Sequence, residues 1–244
     1  MKLCIFMWYD ENVSNYGHLN YLINKVYCDK YNIDLICCNK RRVPEKLPHF
    51  ERVPLLLEYI HNYDYVMWID SDAHFYIDSE NIIDFINKYS SYNVIFSQDF
   101  PNHGIINSGV FIVKNTQYSI DFLNRWCYDE NLYVNRTNKN WHDQSVVIDM
   151  YTTNILDIRN NSIIINYGIL QHFSMNRSPH LKKPFIIHLA GTNRDDRIKH
   201  SIEYFKQNRI DKLLHMPPPP FFRPTIVRKD NKYKMKSIIS NTVR

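Results

Sequence analysis

Only five of the 244 residues are glycine, and no stretch reads G-x-x-x-x-G-K-[ST] or G-x-G-x-x-G. Those turns bring backbone N–H groups onto a phosphate, so P-loop enzymes and enzymes with the dinucleotide fingerprint are excluded. Long apolar runs are also missing, and none approaches the roughly 18–20 residues that a membrane-crossing helix needs. The opening Met1–Trp8 is too short for the apolar part of a signal peptide and passes straight into Tyr9-Asp10-Glu11. It is expected to form a buried first strand of a cytoplasmic protein. Cys4, Cys28, Cys37, Cys38 and Cys127 are odd in number and lack zinc-ligand spacing, which fits reduced thiols in a cytosolic compartment.

What is present is an ordinary core-forming composition. Hydrophobic residues make up 44% and charged residues 23%, so the chain can bury a core and is not disordered throughout. The net charge of +5 is unevenly spread. Residues 217–244 carry seven of the 30 Lys and Arg and one of the 25 acids, which leaves residues 1–216 at −1. Pro217–Pro220 cannot continue a helix and should hold the chain extended. The expected organisation is one catalytic body over 1–216 and an extended basic arm over 217–244. Phe221 and Phe222 are expected to dock in a groove on the body or on a second copy, giving a homodimer through the arm. The wealth of Asn, Ile, Tyr and Lys fits an AT-rich genome, as in large DNA viruses or intracellular microbes.

Apolar β-rich runs predict strands at Lys2–Trp8, Ile33–Cys38, Tyr65–Ile69, Asn93–Ser97, Ile105–Val113, Ser162–Ile165 and Phe185–Leu189. Helical spacing covers His18–Tyr31, Phe50–His61, Ile82–Tyr89, Ser119–Cys127 and Gln144–Tyr151. This alternation predicts an α/β domain with a mostly parallel sheet flanked by helices. Ligand chemistry gathers at the carboxyl ends of such strands. That is where Asp70 and Asp72 fall.

Four segments carry chemistry. Tyr65–Ile69 delivers Asp70-Ser71-Asp72, two carboxylates that need a shared cation, and oxygen ligands select Mg²⁺ or Mn²⁺. The plain alternative is a helix cap. Asn107-Ser108-Gly109 offers donors and a close backbone approach, or simply a glycine bulge entering a strand. Trp141-His142-Asp143-Gln144 presents a carboxylate and an amide beside a ring that could underlie a sugar, or else an ordinary helix start. Phe185–Leu189 places His188 late in a strand, followed by Gly191, Arg194 and Arg197. Imidazole can complete a metal site begun by two carboxylates, and guanidinium groups match phosphate oxygens. Taken alone, a strand histidine is more often a satisfied core residue.

These segments, in this order, resemble the metal-dependent nucleotide-sugar glycosyltransferases of the GT-A fold. The family in view is that of the galactosyl-, xylosyl- and mannosyltransferases, which includes plant xyloglucan xylosyltransferases and fungal Golgi α-mannosyltransferases. Asn24-Lys25-Val26-Tyr27-Cys28 with Tyr31-Asn32-Ile33-Asp34 is similar to its N-K-x-x-Y-C-x-x-H-G-Y-D segment, with Asn32 in the glycine position. His49–Leu55 is similar to W-x-K-[LVI]-P-x-[LI], with Arg52 in the lysine position. Trp68–Ala73 matches W-[LIV]-D-S-D-A, Asn107–Gly109 matches N-[AS]-G, Asp143-Gln144 matches [DE]-Q, and His188–Gly191 matches H-[FL]-x-G.

The resemblance implies a retaining transferase that moves a sugar from a UDP- or GDP-sugar to a glycan, protein or small-molecule acceptor. It implies Mn²⁺ (or Mg²⁺) on Asp70, Asp72 and His188. Donor contacts fall to Arg52, Asp70, Ser71, Asn107, Ser108, Gly191 and Arg194, with Asp143 and Gln144 near the anomeric carbon. The competing classes are a metal-dependent phosphohydrolase or nucleotidyltransferase, and a binding module that uses the basic tail. The first leaves the N-S-G and D-Q segments without a role. The second is disfavoured because the charge sits in one tail beside a neutral body, so nucleic acid is not an expected partner.

Overall fold

The structure is a computed structural model that describes residues 1–100, 105–173 and 184–218. The arm expected after residue 216 lies outside the described residues, apart from Pro217 and Pro218.

The first apolar run forms β1 (Leu3–Trp8), buried along its whole length. Its side chains alternate between two cores, as a period of two requires. Cys4, Phe6 and Trp8 enter one, and Leu3, Ile5 and Met7 the other. Helix α1 (Ser14–Tyr31) follows and ends at Asn32, whose φ of 53° is left-handed. Asparagine tolerates that conformation better than any other side chain that could stand in for glycine. This accounts for Asn32 at the glycine position of the motif.

The chain continues through β2 (Asp34–Cys38), α2 (Arg52–Tyr59), β3 (Tyr65–Ile69), β4 (Ala73–Phe75), α3 (Ile82–Lys88), β5 (Val94–Ser97) and β6 (Asn107–Lys114). Then come α4 (Gln117–Tyr128), α5 (Glu130–Asn135), α6 (His142–Thr152), α7 (Ile158–Asn161), β7 (Ser162–Ile165), β8 (Gln171–His172), β9 (Ile186–His188) and α8 (Arg194–Gln207). A six-stranded sheet has the order β2-β1-β3-β6-β5-β7, and β4-β9-β8 form a second, three-stranded sheet. Within the larger sheet β6 alone runs against its neighbours, pairing antiparallel with β3 and β5. The other pairings, β1 with β2, β1 with β3 and β5 with β7, are parallel. The expected mostly parallel α/β sheet is therefore the observed one.

The reversal of β6 positions the site. Because β6 runs backwards, its first residues, Asn107–Gly109, start at the edge where β3 ends in Asp70. The small sheet then brings the end of β9 to the same place, with Ala73 opposite His188. A third core of Leu22, Ile23, Ile187, Leu189, Tyr204 and Phe205 seals α1 and α8 over that small sheet. Among the described residues, no helix is long and apolar enough to cross a membrane. All five cysteines are free and buried.

Candidate active site

The loop after β3 is held by backbone bonds and by two asparagines. Asp70 N–H donates to the Gly109 carbonyl (2.8 Å), and Leu189 N–H donates to the Asp72 carbonyl (2.9 Å). Asn20 and Asn24 lie four residues apart, on one buried face of α1. Asn20 Nδ2 donates to the Ser71 carbonyl at 2.9 Å. Asn24 Nδ2 donates to the Ala73 carbonyl at 3.1 Å, while its Oδ1 accepts from Phe75 N–H at 2.9 Å. Both ends of Asn24 are thus used to fix the chain just beyond Asp72. That gives a physical reason for an asparagine at the head of the N-K-x-x-Y-C segment.

Asp70, Asp72 and His188 meet at one point, with a ligand atom from each within 4.8 Å of the others. His188 Nε2 lies 3.3 Å from Asp72 Oδ1 and 3.8 Å from Asp70 Oδ2. Arg197 Nη2 reaches Asp72 Oδ2 at 2.9 Å. Burial opposes ionisation of Asp72, yet His188 and then Arg197 outweigh it and hold the carboxyl at about 2. Asp70 goes the other way, because burial pushes it up more than Arg52 and His188 offset. Burial likewise disfavours charge on His188, but Asp72 and then Asp70 overcome it and push the imidazole up. The donor set of two carboxylates and one imidazole suits a hard or borderline divalent cation.

Gly109 is what lets the three converge. A Cβ there would stand 2.2 Å from His188 Cε1 and 2.8 Å from Asp70 Oδ2. The glycine of N-S-G therefore makes room for the triad itself.

Arg52 ties the triad to the other segments. It contacts Asp70 and Asp143, each at 3.2 Å, and donates from Nη1 to the Ser108 carbonyl and to Ser108 Oγ. Asp143 is not a helix cap, since α6 has no side-chain cap and Asp143 is buried in its first turn. Burial pushes its carboxyl up to about 7 despite Arg52. Gln144 Oε1 accepts from Ser108 N–H at 3.0 Å, and its Nε2 donates to Asp99 Oδ2 at 3.0 Å. Asn107 Nδ2 donates to the other oxygen of Asp99 at 3.3 Å.

Two cavities share this floor. The larger, about 680 Å³, is lined by Asp70, Asp72, Asn107, Ser108, Asp143, Gln144, His188 and Gly191, with Phe100, Trp141 and Phe173 among its apolar walls. The smaller, about 340 Å³, opens beside Trp8, Asp10, Asn12, Tyr16 and Ser71. Arg52, Asp70, Asp72 and Arg197 line both. Every expected site residue but one lies at these cavities. The exception is Arg194, which is exposed in the first turn of α8 and lines neither, whereas Arg197, one turn on, points in. Asp99, Gln171 and the residues around Tyr16 were not singled out by motif reading. Asp99 sits between a strand end and the N-S-G segment, and that position was the available signal.

Comparisons with known proteins find glycosyltransferases among both the sequence relatives and the solved structures. Probable glycosyltransferase 6 of Oryza sativa subsp. indica is 29% identical over 121 residues, which cover 44% of this chain and 24% of the relative. Galactomannan galactosyltransferase 1 of Cyamopsis tetragonoloba is 29% identical over 118 residues, 44% of this chain and 27% of that protein. The chain thus spans about a quarter of the length of these curated relatives. Among solved structures, a glycosyltransferase involved in the glycosylation of the major capsid of PBCV-1 superposes with a TM-score of 0.65 at 16% identity, covering 83% of this chain and all of the other. That likeness shows the GT-A fold. The family model described as "Protein of unknown function, DUF273" matches residues 24–156. Since this stretch is more than half of the 244 residues and contains Asp70, Asn107 and Asp143, the chain belongs to that family.

Proposed function

We propose that the chain is a metal-dependent retaining glycosyltransferase that takes a sugar from a nucleoside diphosphate and passes it to a hydroxyl of a glycan, protein or small-molecule acceptor. The observation that carries this reading is the convergence of Asp70, Asp72 and His188 on one point beside a cavity walled by Asp143 and Gln144. Mn²⁺ or Mg²⁺, held by the two carboxylates and the imidazole, would neutralise charge on the departing diphosphate.

The chain's own residues supply the rest. Arg197, held beside Asp72 by the Leu189 carbonyl and the Tyr16 hydroxyl, offers a fixed guanidinium to phosphate oxygens. Ser71 and Gly191, at the cavity edges, face the donor. Arg52 holds Ser108 and Asp143 in place at the sugar end, and Asn107 is anchored by Asp99. The bond between the anomeric carbon and the diphosphate oxygen breaks with its electron pair going to the diphosphate. The acceptor oxygen then bonds to the anomeric carbon on the same face, directly or after a transient glycosyl–enzyme bond, and its proton passes to the departing diphosphate or to a carboxylate of the site. Asp143, at about 7, stands where a carboxyl can exchange a proton near neutral pH or stabilise positive charge on the ring. Trp141 offers a ring face for sugar stacking at the mouth.

A melting-temperature screen with UDP and GDP, each with Mn²⁺, with Mg²⁺ and with chelator, tests this reading. One nucleotide should raise the melting temperature by several degrees only when the cation is present. Stabilisation that is indifferent to chelator, or none with either nucleotide, would contradict it.

A further inference from the structure

Strand β8 contributes a residue to the site that no motif marks. In the parallel pairing of β8 with β9, Gln171 stands opposite Ile186. His188 is two residues further along, so the two side chains share a face of the small sheet. Gln171 is fully buried, at 0% exposure, and its Oε1 lies 2.9 Å from His188 Nδ1. An amide oxygen only accepts, so the imidazole proton in this arrangement belongs to Nδ1. In the neutral ring the lone pair is then on Nε2, the atom that faces Asp72 and Asp70.

Asp72, 3.3 Å from Nε2, is the competing acceptor for the imidazole proton, and the remaining neighbours fix the ring without choosing a tautomer. Gly109 closes one side of it, and the Phe173 ring lies at 5.2 Å, edge to face, on another. Neither group exchanges a proton with the imidazole. With the proton on Nε2, the ring would donate to Asp72 and occupy the place of a cation. Gln171 Oε1, at 2.9 Å from Nδ1, is the acceptor that opposes this second state. The nitrogen of the same amide has no hydrogen-bond partner among the described residues, though it is buried. Leucine or methionine would fill this space without stranding a donor, so packing alone does not favour glutamine here.

We propose that Gln171 is a positioning residue. By accepting the Nδ1 proton of His188 it keeps Nε2 deprotonated and presents that nitrogen to a divalent cation shared with Asp70 and Asp72. The inference rests on the reading of the triad as a metal site, and it assigns the control of that site to a residue outside the family motifs. Partners behind a metal-binding histidine commonly change metal affinity by 10–100-fold.

The test uses Gln171→Met, which keeps length and removes the acceptor, and Gln171→Glu, which keeps only acceptors. In metal-free protein labelled with ¹⁵N-histidine, long-range ¹H–¹⁵N spectra report the tautomer at a pH where the ring is neutral, with His188 assigned by its loss in His188→Gln. Wild type and Gln171→Glu should show Nδ1 protonated, and Gln171→Met should shift the proton to Nε2. Calorimetry with Mn²⁺ and UDP or GDP should show affinity reduced about 10–100-fold in Gln171→Met and kept within about threefold, or tightened, in Gln171→Glu. An unchanged tautomer and affinity in Gln171→Met overturns the proposal, as does a Gln171→Glu protein that binds Mn²⁺ as weakly as Gln171→Met. If Gln171→Met does not fold, Gln171→Glu decides by the same criteria. Should wild type itself bind no Mn²⁺, the metal reading fails, and the ring spectra still decide whether Gln171 sets the tautomer.

Discussion

Two buried polar clusters lie on either side of β4, and they are built on opposite principles. On one side His74 Nδ1 bonds the Phe75 carbonyl (3.0 Å) and its Nε2 meets His200 Nε2 at 3.2 Å. Tyr204 Oη accepts from Ile77 N–H at 3.0 Å. Burial, then His200, pushes His74 down to about 3, so this cluster is neutral and internally satisfied. On the other side two carboxylates and an imidazole are aimed at one another, and among the described residues the Gln171 amide nitrogen has no hydrogen-bond partner. Neither cluster is surface chemistry. The difference is that the first closes on itself, as a structural network should, whereas the second gathers three possible ligand atoms within 4.8 Å of one another.

The comparison breaks most sharply at Asp72. Asp72→Asn should lower sugar transfer at least about 10³-fold, about 4 kcal/mol of barrier, while the melting temperature stays within a few degrees. His74→Phe, across β4, should cost stability with turnover kept near wild type. Steady-state kinetics beside thermal unfolding separates the two.

Next is Gln144, whose amide spans Ser108 and Asp99. Gln144→Ala should reduce kcat roughly 10–100-fold with little change in KM for the donor, because it disturbs the sugar end and spares the triad. Full turnover in the variant would assign Gln144 to the fold.

A third change sharpens the role of close packing. Gly109→Ala forces a methyl against His188 and should cost roughly 1–3 kcal/mol of stability together with most of the Mn²⁺ affinity. Calorimetric binding that matches wild type would mean the ring can move aside.

The mildest expected effect is a pH dependence of stability from the closed cluster. His74 titrates at about 3 when folded, against an ordinary value of 6.5, and faces His200 and Tyr204 of α8, with Glu203 beside His200. Between those values the unfolded chain binds more protons, so stability is fully present above about 6.5 and is lost as pH falls toward 3. Denaturant titrations from pH 7.5 to 4.5 should show that slope, and His74→Phe should flatten it.

Much of this could be read from the chain because local pattern and chemistry coincide. Asp70 and Asp72 follow a run that is buried along its whole length, and Asn107–Gly109 opens another. The sequence does not say which way a strand points, so the meeting of those segments at one edge became visible only with β6 reversed between β3 and β5. The strands β4 and β8, of three and two residues, carry too little periodicity to be found and exist because β9 pairs with both. Helix α8 is hidden in the sequence for a related reason, since Arg194–Gln207 is rich in charge and buries only one narrow stripe ending in Tyr204 and Phe205. With α8 unrecognised, the turn that separates exposed Arg194 from inward Arg197 could not be seen either. Gln171 carries no signal in the sequence, because its contact is with a neighbour 17 residues away.

The most direct test of the central claim is calorimetric titration of Mn²⁺ into the wild-type chain with UDP or GDP present, repeated with Asp72→Ala and His188→Ala. The expected result is one bound cation per chain in wild type and no measurable binding in either variant, with both variants folded. Undiminished affinity in folded Asp72→Ala would contradict the assignment of Asp70, Asp72 and His188 as the metal centre.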